Sequence, residues 1–231
     1  MLARMASFFL EGGTVDFSFA IILKNLPYLL NAAGWTLLIS LAGMAISIVL
    51  GIFVCAARIS RQTLIRALAA VYVSFFRGVP LLVQLLIFYY MLPYVGLDLP
   101  AIGAAILAVG MCSAAYTAEI LRGALQGIPR GQIEAADALG IAPGWLWVRI
   151  LVPQALRIGM PSLINELILL VKVSSLASIV GVVELTRVAQ NITGATYRPL
   201  EIYLAAAAGY LAINSVIALL GRLAEQRLKT G

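Results

Sequence analysis

Apolar residues run along this chain in long blocks separated by isolated charges. No Asp, Glu, Lys or Arg stands between Lys24 and Arg58, between Arg77 and Asp98, between Asp98 and Glu119, or between Glu201 and Arg222. Each block can hold the roughly 20 apolar residues that cross a hydrocarbon layer about 30 Å thick. A fifth block, near 158–183, is equally apolar but carries Glu166 and Lys172. The pattern predicts five spanning helices, at about 33–57, 72–93, 100–122, 158–181 and 202–224. Residues 17–31 precede the first, and Pro27 there argues against one continuous helix and for a segment lying along the outer interface. Pro80 and Pro161 fall within or near spans and are expected to bend them. The backbone groups they free must find partners in neighbouring helices or water.

Composition agrees. Of 231 residues 62% are hydrophobic and 11% charged, against about 45–50% and about 25% in soluble domains. One core of this size cannot hide that much apolar surface, so lipid is the solvent for much of it and the fold class is an all-α integral membrane protein. The first apolar block is too long and too late for a cleavable signal and is expected to stay as an anchor. Cys55 and Cys112 fall inside spans and read as buried free thiols.

The net charge of +6 reflects basic residues clustered at span ends rather than a nucleic-acid surface. Arg58, Arg61, Arg66 and Arg77 form one group, and Arg122, Arg130, Arg149 and Arg157 a second. Arg222, Arg227 and Lys229 form a third, so eleven of sixteen basic residues fall on one side. Basic residues in short loops mark the cytoplasmic face. Arg4, Lys24, Arg187 and Arg198 are left to the other face. The N-terminus is then outside and the C-terminus cytoplasmic. This divides the chain into an outer or interfacial segment (1–32), a spanning domain (33–225) with a cytoplasmic loop at 123–157, and a tail (226–231). Five spans cannot supply two equal halves, so a complete pathway calls for a second copy or a related chain.

The loop is the most informative segment. Ile133 to Leu139 reads as a short helix, with Pro129 near its start, Glu134 and Asp137 near its positive end, and Gly140 as terminator. At helical spacing Ala135 aligns with Leu139, and Ala136 with Gly140. That surface of small residues lets another protein's backbone approach closely; the alternative is an amphipathic helix resting on its own protein. Glu134-Ala135-Ala136, Gly140, Ile150 and Pro153 match the EAA motif of the permease subunits of bacterial ATP-binding cassette importers, with Val152 where the family pattern has leucine.

The resemblance covers nearly the whole chain and narrows to the polar amino acid branch. Phe76 to Gln84 is similar to its FRGTPLLVQ segment, and Ala115 to Gly123 to AYxAEIxRG. Lys172 to Ser178 is similar to KDTSLAS, and Glu184 to Arg187 to part of AELTR. Val173 departs, standing where the family has Asp. The resemblance implies a type I importer fold, with five spanning helices and a cytoplasmic coupling helix in a bacterial inner membrane. It implies docking of Glu134, Ala135, Ala136, Leu139 and Gly140 on a separate ATPase subunit that binds ATP and Mg. It also implies a second permease copy or sister chain, and a periplasmic or lipid-anchored amino-acid-binding protein.

The residues support the division of labour. The only lysines are Lys24, Lys172 and Lys229, none after a glycine, so no phosphate-cradling Gly-Lys loop exists. Histidine is absent, which excludes histidine acid–base chemistry and histidine metal sites. No catalytic residue, metal ligand or cofactor site is expected in this chain.

Ionisable groups inside a membrane are costly and point to function. Glu166 lies about eight residues, or roughly 12 Å, into the fourth span. With Asn165, Gln84, Ser174 and Ser175 it makes the candidate substrate-binding set, Glu166 lining a central cavity and meeting an ammonium or a cationic side chain. The cargo expected is a polar L-amino acid, basic ones included. Glu166 and Lys172 are six apart and do not face each other on one helix. Glu119 is expected to pair locally with Arg122, and Arg77 to hold a helix end or line a gate. Gly43, Gly51 and the alanine run 205–208 suit close helix packing. A self-sufficient secondary transporter or channel is the alternative, but no internal repeat supports it and the loop motif would go unexplained.

Overall fold

The computed structural model describes residues 17–230, and every regular element among them is helical. Arg4 and the start of the 1–32 segment lie outside the described residues. Helix α1 (Phe19–Arg58) is 40 residues long, about 60 Å, and runs without a break through Pro27. The interfacial segment expected at 17–31 is instead largely the first turns of this helix. Pro27 has no N–H to give the Leu23 carbonyl, four residues back, but Leu23 is 67% exposed, so that carbonyl is not stranded in a core. Packing holds the helix straight on: Leu29 and Ala32 sit against Leu185, Ala189 and Ile202.

The second span is a broken pair. Helices α2 (Thr63–Gly78) and α3 (Leu81–Met91, extended by a 3-10 turn at Leu92–Val95) meet at 106°. Pro80 was expected to bend one helix of about 72–93; it ends one and starts another, and the first begins at Thr63. The residue before a proline is driven from the helical region, and Val79 is extended (φ −92°, ψ 134°).

Helix α4 (Ala101–Gln126) is the hub, packing most heavily on α1. Small residues permit this. A Cβ on Gly51 would stand 2.7 Å from the Thr117 side chain, and one on Gly110 2.8 Å from Ile46. The short loop helix α5 (Arg130–Ala138) follows, then one turn at Pro143–Trp145 and a π-helical stretch at Leu146–Leu151. Helix α6 (Val152–Val173) continues as a 3-10 segment, Ser174–Val180. Helix α7 (Leu185–Thr196), which the hydropathy pattern did not reveal, precedes α8 (Pro199–Thr230). Among the described residues four helical stretches are long and apolar enough to cross a bilayer, five if the bent pair counts as one span.

Two apolar clusters mark opposite ends. At one, Leu29 and Ala32 meet α7 and α8. At the other, Ala124, Ile128, Ala136, Leu146, Leu151 and Ala155 join α4, α5, the π-helical stretch and α6. Arg58 and Arg122 also meet at this second end, both on Glu119 (3.2 and 2.6 Å), so the pair expected with Arg122 is a three-way link between α1 and α4. Large apolar side chains such as Leu41, Phe53, Leu211 and Leu219 are about half exposed or more on the outer faces, far beyond what a water-facing surface tolerates.

Candidate functional site

The site grows from the α2–α3 break. Pro80 has no N–H to give the Phe76 carbonyl four residues earlier, and a membrane interior offers no water to replace it. Gln84 supplies the substitute. Its Nε2 donates to the Phe76 carbonyl (2.9 Å) and the Val79 carbonyl (2.7 Å), and the Cys112 thiol adds a weaker donor to Phe76 (3.5 Å). The Phe76 and Val79 carbonyls are therefore satisfied, while the Gln84 Oε1 is buried without a partner, and beside the break lies a cavity of about 320 Å³ between it, α4 and α6.

Glu166 lines this cavity and is 7% exposed. Ser113 donates to its Oε1 at 2.7 Å. Behind Ser113, Ser47 donates to the Ser113 oxygen (2.9 Å) and lies 2.6 Å from the Thr117 hydroxyl. Each hydroxyl has one proton to give, so Thr117 must donate to Ser47, and three hydroxyl dipoles point in sequence at the carboxylate. Aligned donors strengthen one another in a low-dielectric interior. None of the ion pairs among the described residues includes Glu166; Lys172 is exposed. Across the break, Arg77 also lines the cavity, its guanidinium 5.2 Å from the centre of the Tyr116 ring, within cation–π range.

The remaining members of the expected set stand elsewhere. Gln84 is buried and its amide protons are spent on the break. Asn165 is exposed, one position round the helix from Glu166. Ser174 and Ser175 turn back to the Val171 and Lys172 carbonyls (2.8 and 2.7 Å), easing the passage from α6 to the 3-10 segment. None of the four lines the Glu166 cavity. Sequence reasoning missed Ser113, Ser47 and Thr117, because a hydroxyl facing another helix looks like one facing its own backbone.

The loop helix lies at the far end. Gly140 is left-handed (φ +68°), and a paired closure follows: Ile141 N–H to the Ala136 carbonyl and Gly140 N–H to that of Asp137, both 3.0 Å. This is the Schellman ending, with the expected apolar contact of Ile141 and Ala136 in one cluster. Ala136 is buried, while Glu134, Ala135, Leu139 and Gly140 are exposed, Leu139 by 77%. Ala136 anchors the helix to its own body, and Glu134, Ala135, Leu139 and Gly140 face outward.

A third polar cluster joins the opposite end. Glu184 caps α7, accepting from the Thr186 and Arg187 N–H groups (2.9 and 2.7 Å) and from the Tyr210 hydroxyl (2.8 Å). The next residue's N–H donates to Thr36 Oγ1 at 3.2 Å. Burial pushes the Glu184 carboxyl above its ordinary range, against the downward pull of these hydrogen bonds.

The profile of the family described as "Binding-protein-dependent transport system inner membrane component" matches residues 47–230. The chain is 40% identical over 212 residues to the probable amino-acid ABC transporter permease protein YckA of Bacillus subtilis (strain 168), covering 91% of this chain and 93% of that one. It is 38% identical over 215 residues to the nopaline transport system permease protein NocM of Agrobacterium fabrum, covering 89% of each. A solved structure, described as the crystal structure of an amino acid ABC transporter with histidines, superposes with a TM-score of 0.85 at 34% identity, covering 92% of this chain and 100% of that chain. The broken span, the exposed loop helix and the shared sequence have one explanation: the chain belongs to the inner membrane permease subunits of binding-protein-dependent ABC importers for amino acids.

Proposed function

We propose that this subunit carries a polar L-amino acid through the cavity beside the α2–α3 break, with Glu166 meeting the ammonium group and Arg77 the carboxylate. Glu166 carries the reading: a carboxylate that is buried, without an ion-pair partner among the described residues, and faced by an open cavity. Intramembrane charges of that kind serve pathways. The opposite charge of Arg77 on the same cavity suits a zwitterion.

ATP hydrolysis in this family resides in a separate subunit, which binds the nucleotide and its Mg. The exposed Glu134, Ala135, Leu139 and Gly140 dock on that ATPase, with Ala136 fixing the knob from below. The loop end faces the cytoplasm and the α7 end faces outward, where a binding protein delivers the amino acid. This orientation is supported by Arg58, Arg122, Arg130 and Arg149 at the loop end. A second permease copy or sister chain completes the pathway.

The test is transport-linked ATPase activity of the reconstituted importer. Glu166→Gln is expected to raise the amino-acid concentration giving half-maximal stimulation by about tenfold or more, the loss of one charge-assisted contact of roughly 1.5 kcal/mol. An unchanged value overturns the assignment of Glu166, and uptake that continues without any ATPase overturns the importer reading in favour of a self-sufficient transporter.

A further inference from the structure

A larger recess, of about 570 Å³, lies on another face of α6, and every side chain in its wall is apolar. It is a groove between three helices, formed by Leu41 on α1, by Met160, Ile164 and Leu167 on α6, and by Ile217 and Ala224 on α8. The α6 residues stand roughly 130° round the helix from Glu166, so this groove and the Glu166 cavity face different ways. On α8 the wall runs from Ala212 to Ala224, about 18 Å, close to one leaflet of a hydrocarbon layer about 30 Å thick.

The register of α6 against α8 fixes what stands at the ends. Leu185, just past the end of α6, packs on Ile202 near the start of α8, so the two helices run antiparallel. A Cβ on Gly221 would stand 2.7 Å from Ile164, which sets those two residues level. Seven residues back from Ile164 is Arg157, and six beyond Gly221 is Arg227; both fall about 10 Å from the contact, at the same end. Each also continues the stripe that lines the groove. Arg157, Met160, Ile164 and Leu167 step by three or four, and so do Ile217, Gly221, Ala224 and Arg227. Both arginines are exposed, and Arg157 belongs to none of the ion pairs among the described residues. Glu225 is one position round from Ala224 and off the stripe.

The occupant must match an apolar trough with two cations at one end. Water does not hold to a wall without polar partners, and hydrocarbon does. Arginine pairs with phosphate through parallel N–H bonds, and basic pockets between spanning helices take anionic headgroups. A second copy of this chain, related by an axis along the membrane normal, would set its own arginines level with these, like charge against like. A phosphodiester on an acyl tail brings the opposite charge at the right height.

We propose that the α1–α6–α8 groove binds an anionic phospholipid, one acyl chain lying along the groove and the phosphate held between Arg157 and Arg227.

The experiment places the permease–ATPase complex in vesicles carrying traces of a phosphatidylglycerol or a phosphatidylcholine probe, each with the same photoactivatable acyl chain, and maps the adducts by mass spectrometry. Adducts on α6 and α8 within the groove are expected, with phosphatidylglycerol captured at least about fivefold over phosphatidylcholine. Changing Arg157→Gln and Arg227→Gln together is expected to bring that ratio near one, and Ala224→Trp, which fills the trough, to lower capture of both probes. Equal capture of the two headgroups by the wild type overturns the proposal whether or not the variants assemble. So does a preference that survives the double arginine change. A disulfide joining two permeases through Ile217→Cys, with no adducts in the groove, overturns it in favour of a second copy.

Discussion

Ser113 donates its proton to Glu166 across 2.7 Å, from the middle of α4 to the middle of α6, and itself accepts from Ser47 on α1. Three helices thus converge on one carboxylate. A hydrogen bond to a charged group contributes about 1.5–3 kcal/mol. Ser113→Ala is therefore expected to weaken amino-acid binding by about tenfold in the purified complex, through a loosened Glu166. Binding that is indifferent to the hydroxyl would mean the carboxylate is positioned by packing alone.

Gln84 is expected to matter for folding rather than cargo. Gln84→Leu leaves the Phe76 and Val79 carbonyls without their shared donor, at about 1–3 kcal/mol for each group stranded. The thermal midpoint of the detergent-purified protein should fall by several degrees. A variant that keeps its midpoint but loses cargo affinity reverses this assignment.

Close approach of α1 and α4 makes Gly51→Ala costly, since the added Cβ meets Thr117 at 2.7 Å. Overpacking of this kind costs roughly 1–3 kcal/mol. Gly123→Ala, where nothing lies within 4 Å, is the matched control and is expected to be neutral or stabilising, by up to about 1 kcal/mol of helix propensity. Comparable melting of the two variants would show that the contact yields freely.

How much was legible in the sequence divides along the same physical line. Spans declared themselves through gaps between charges, and the loop helix through Pro129, Gly140 and the EAA residues, because those signals are local. The α2–α3 break was half legible. Pro80 announced a bend, but a turn of 106° depends on Gln84 satisfying the freed carbonyls, which is a tertiary fact. Helix α1 overrode the expectation set by Pro27, since contacts from Leu29 and Ala32 outweigh one lost hydrogen bond on an exposed turn. Within the site, Glu166 stood out as a charge in an apolar block. Asn165, Ser174 and Ser175 were indistinguishable from it as polar groups in the same helix, and only the direction each side chain takes separates them.

Replacing Glu134 and Gly140 together by bulky residues is expected to abolish ATP-driven uptake. Any L-residue at Gly140 is strained at φ +68°, costing about 1–2 kcal/mol, and bulk at Glu134 blocks the face proposed to meet the ATPase. Uptake into reconstituted vesicles is the readout; transport that survives the double change removes the loop helix from the coupling path.

Glu184 sets a pH dependence. Its carboxyl is raised by burial despite the donors around it, so the folded state holds the proton more tightly than the unfolded state. Its contribution to stability is full below the ordinary carboxylate range and is lost as pH rises through the folded value. The thermal midpoint is expected to decline over that window, and Glu184→Gln to flatten the decline while keeping an acceptor for one of the two N–H groups of α7. A decline of the same slope in Glu184→Gln places its origin in another group.

The burial of Ala136 bears on how a stroke travels. Because that methyl is wedged among Ala124, Ile128, Leu146, Leu151 and Ala155, the knob cannot swing as a loose arm. Close-packed interiors convey displacement rather than absorb it, so a push on Leu139 arrives at α4 and α6 together. Ser113 rides on the first and Glu166, about 16 Å beyond Ala155, on the second. On the proposed docking and cargo assignments, engine and grip are geared through one block, and a stroke large enough to tilt one helix against the other also alters the hold on whatever the carboxylate carries.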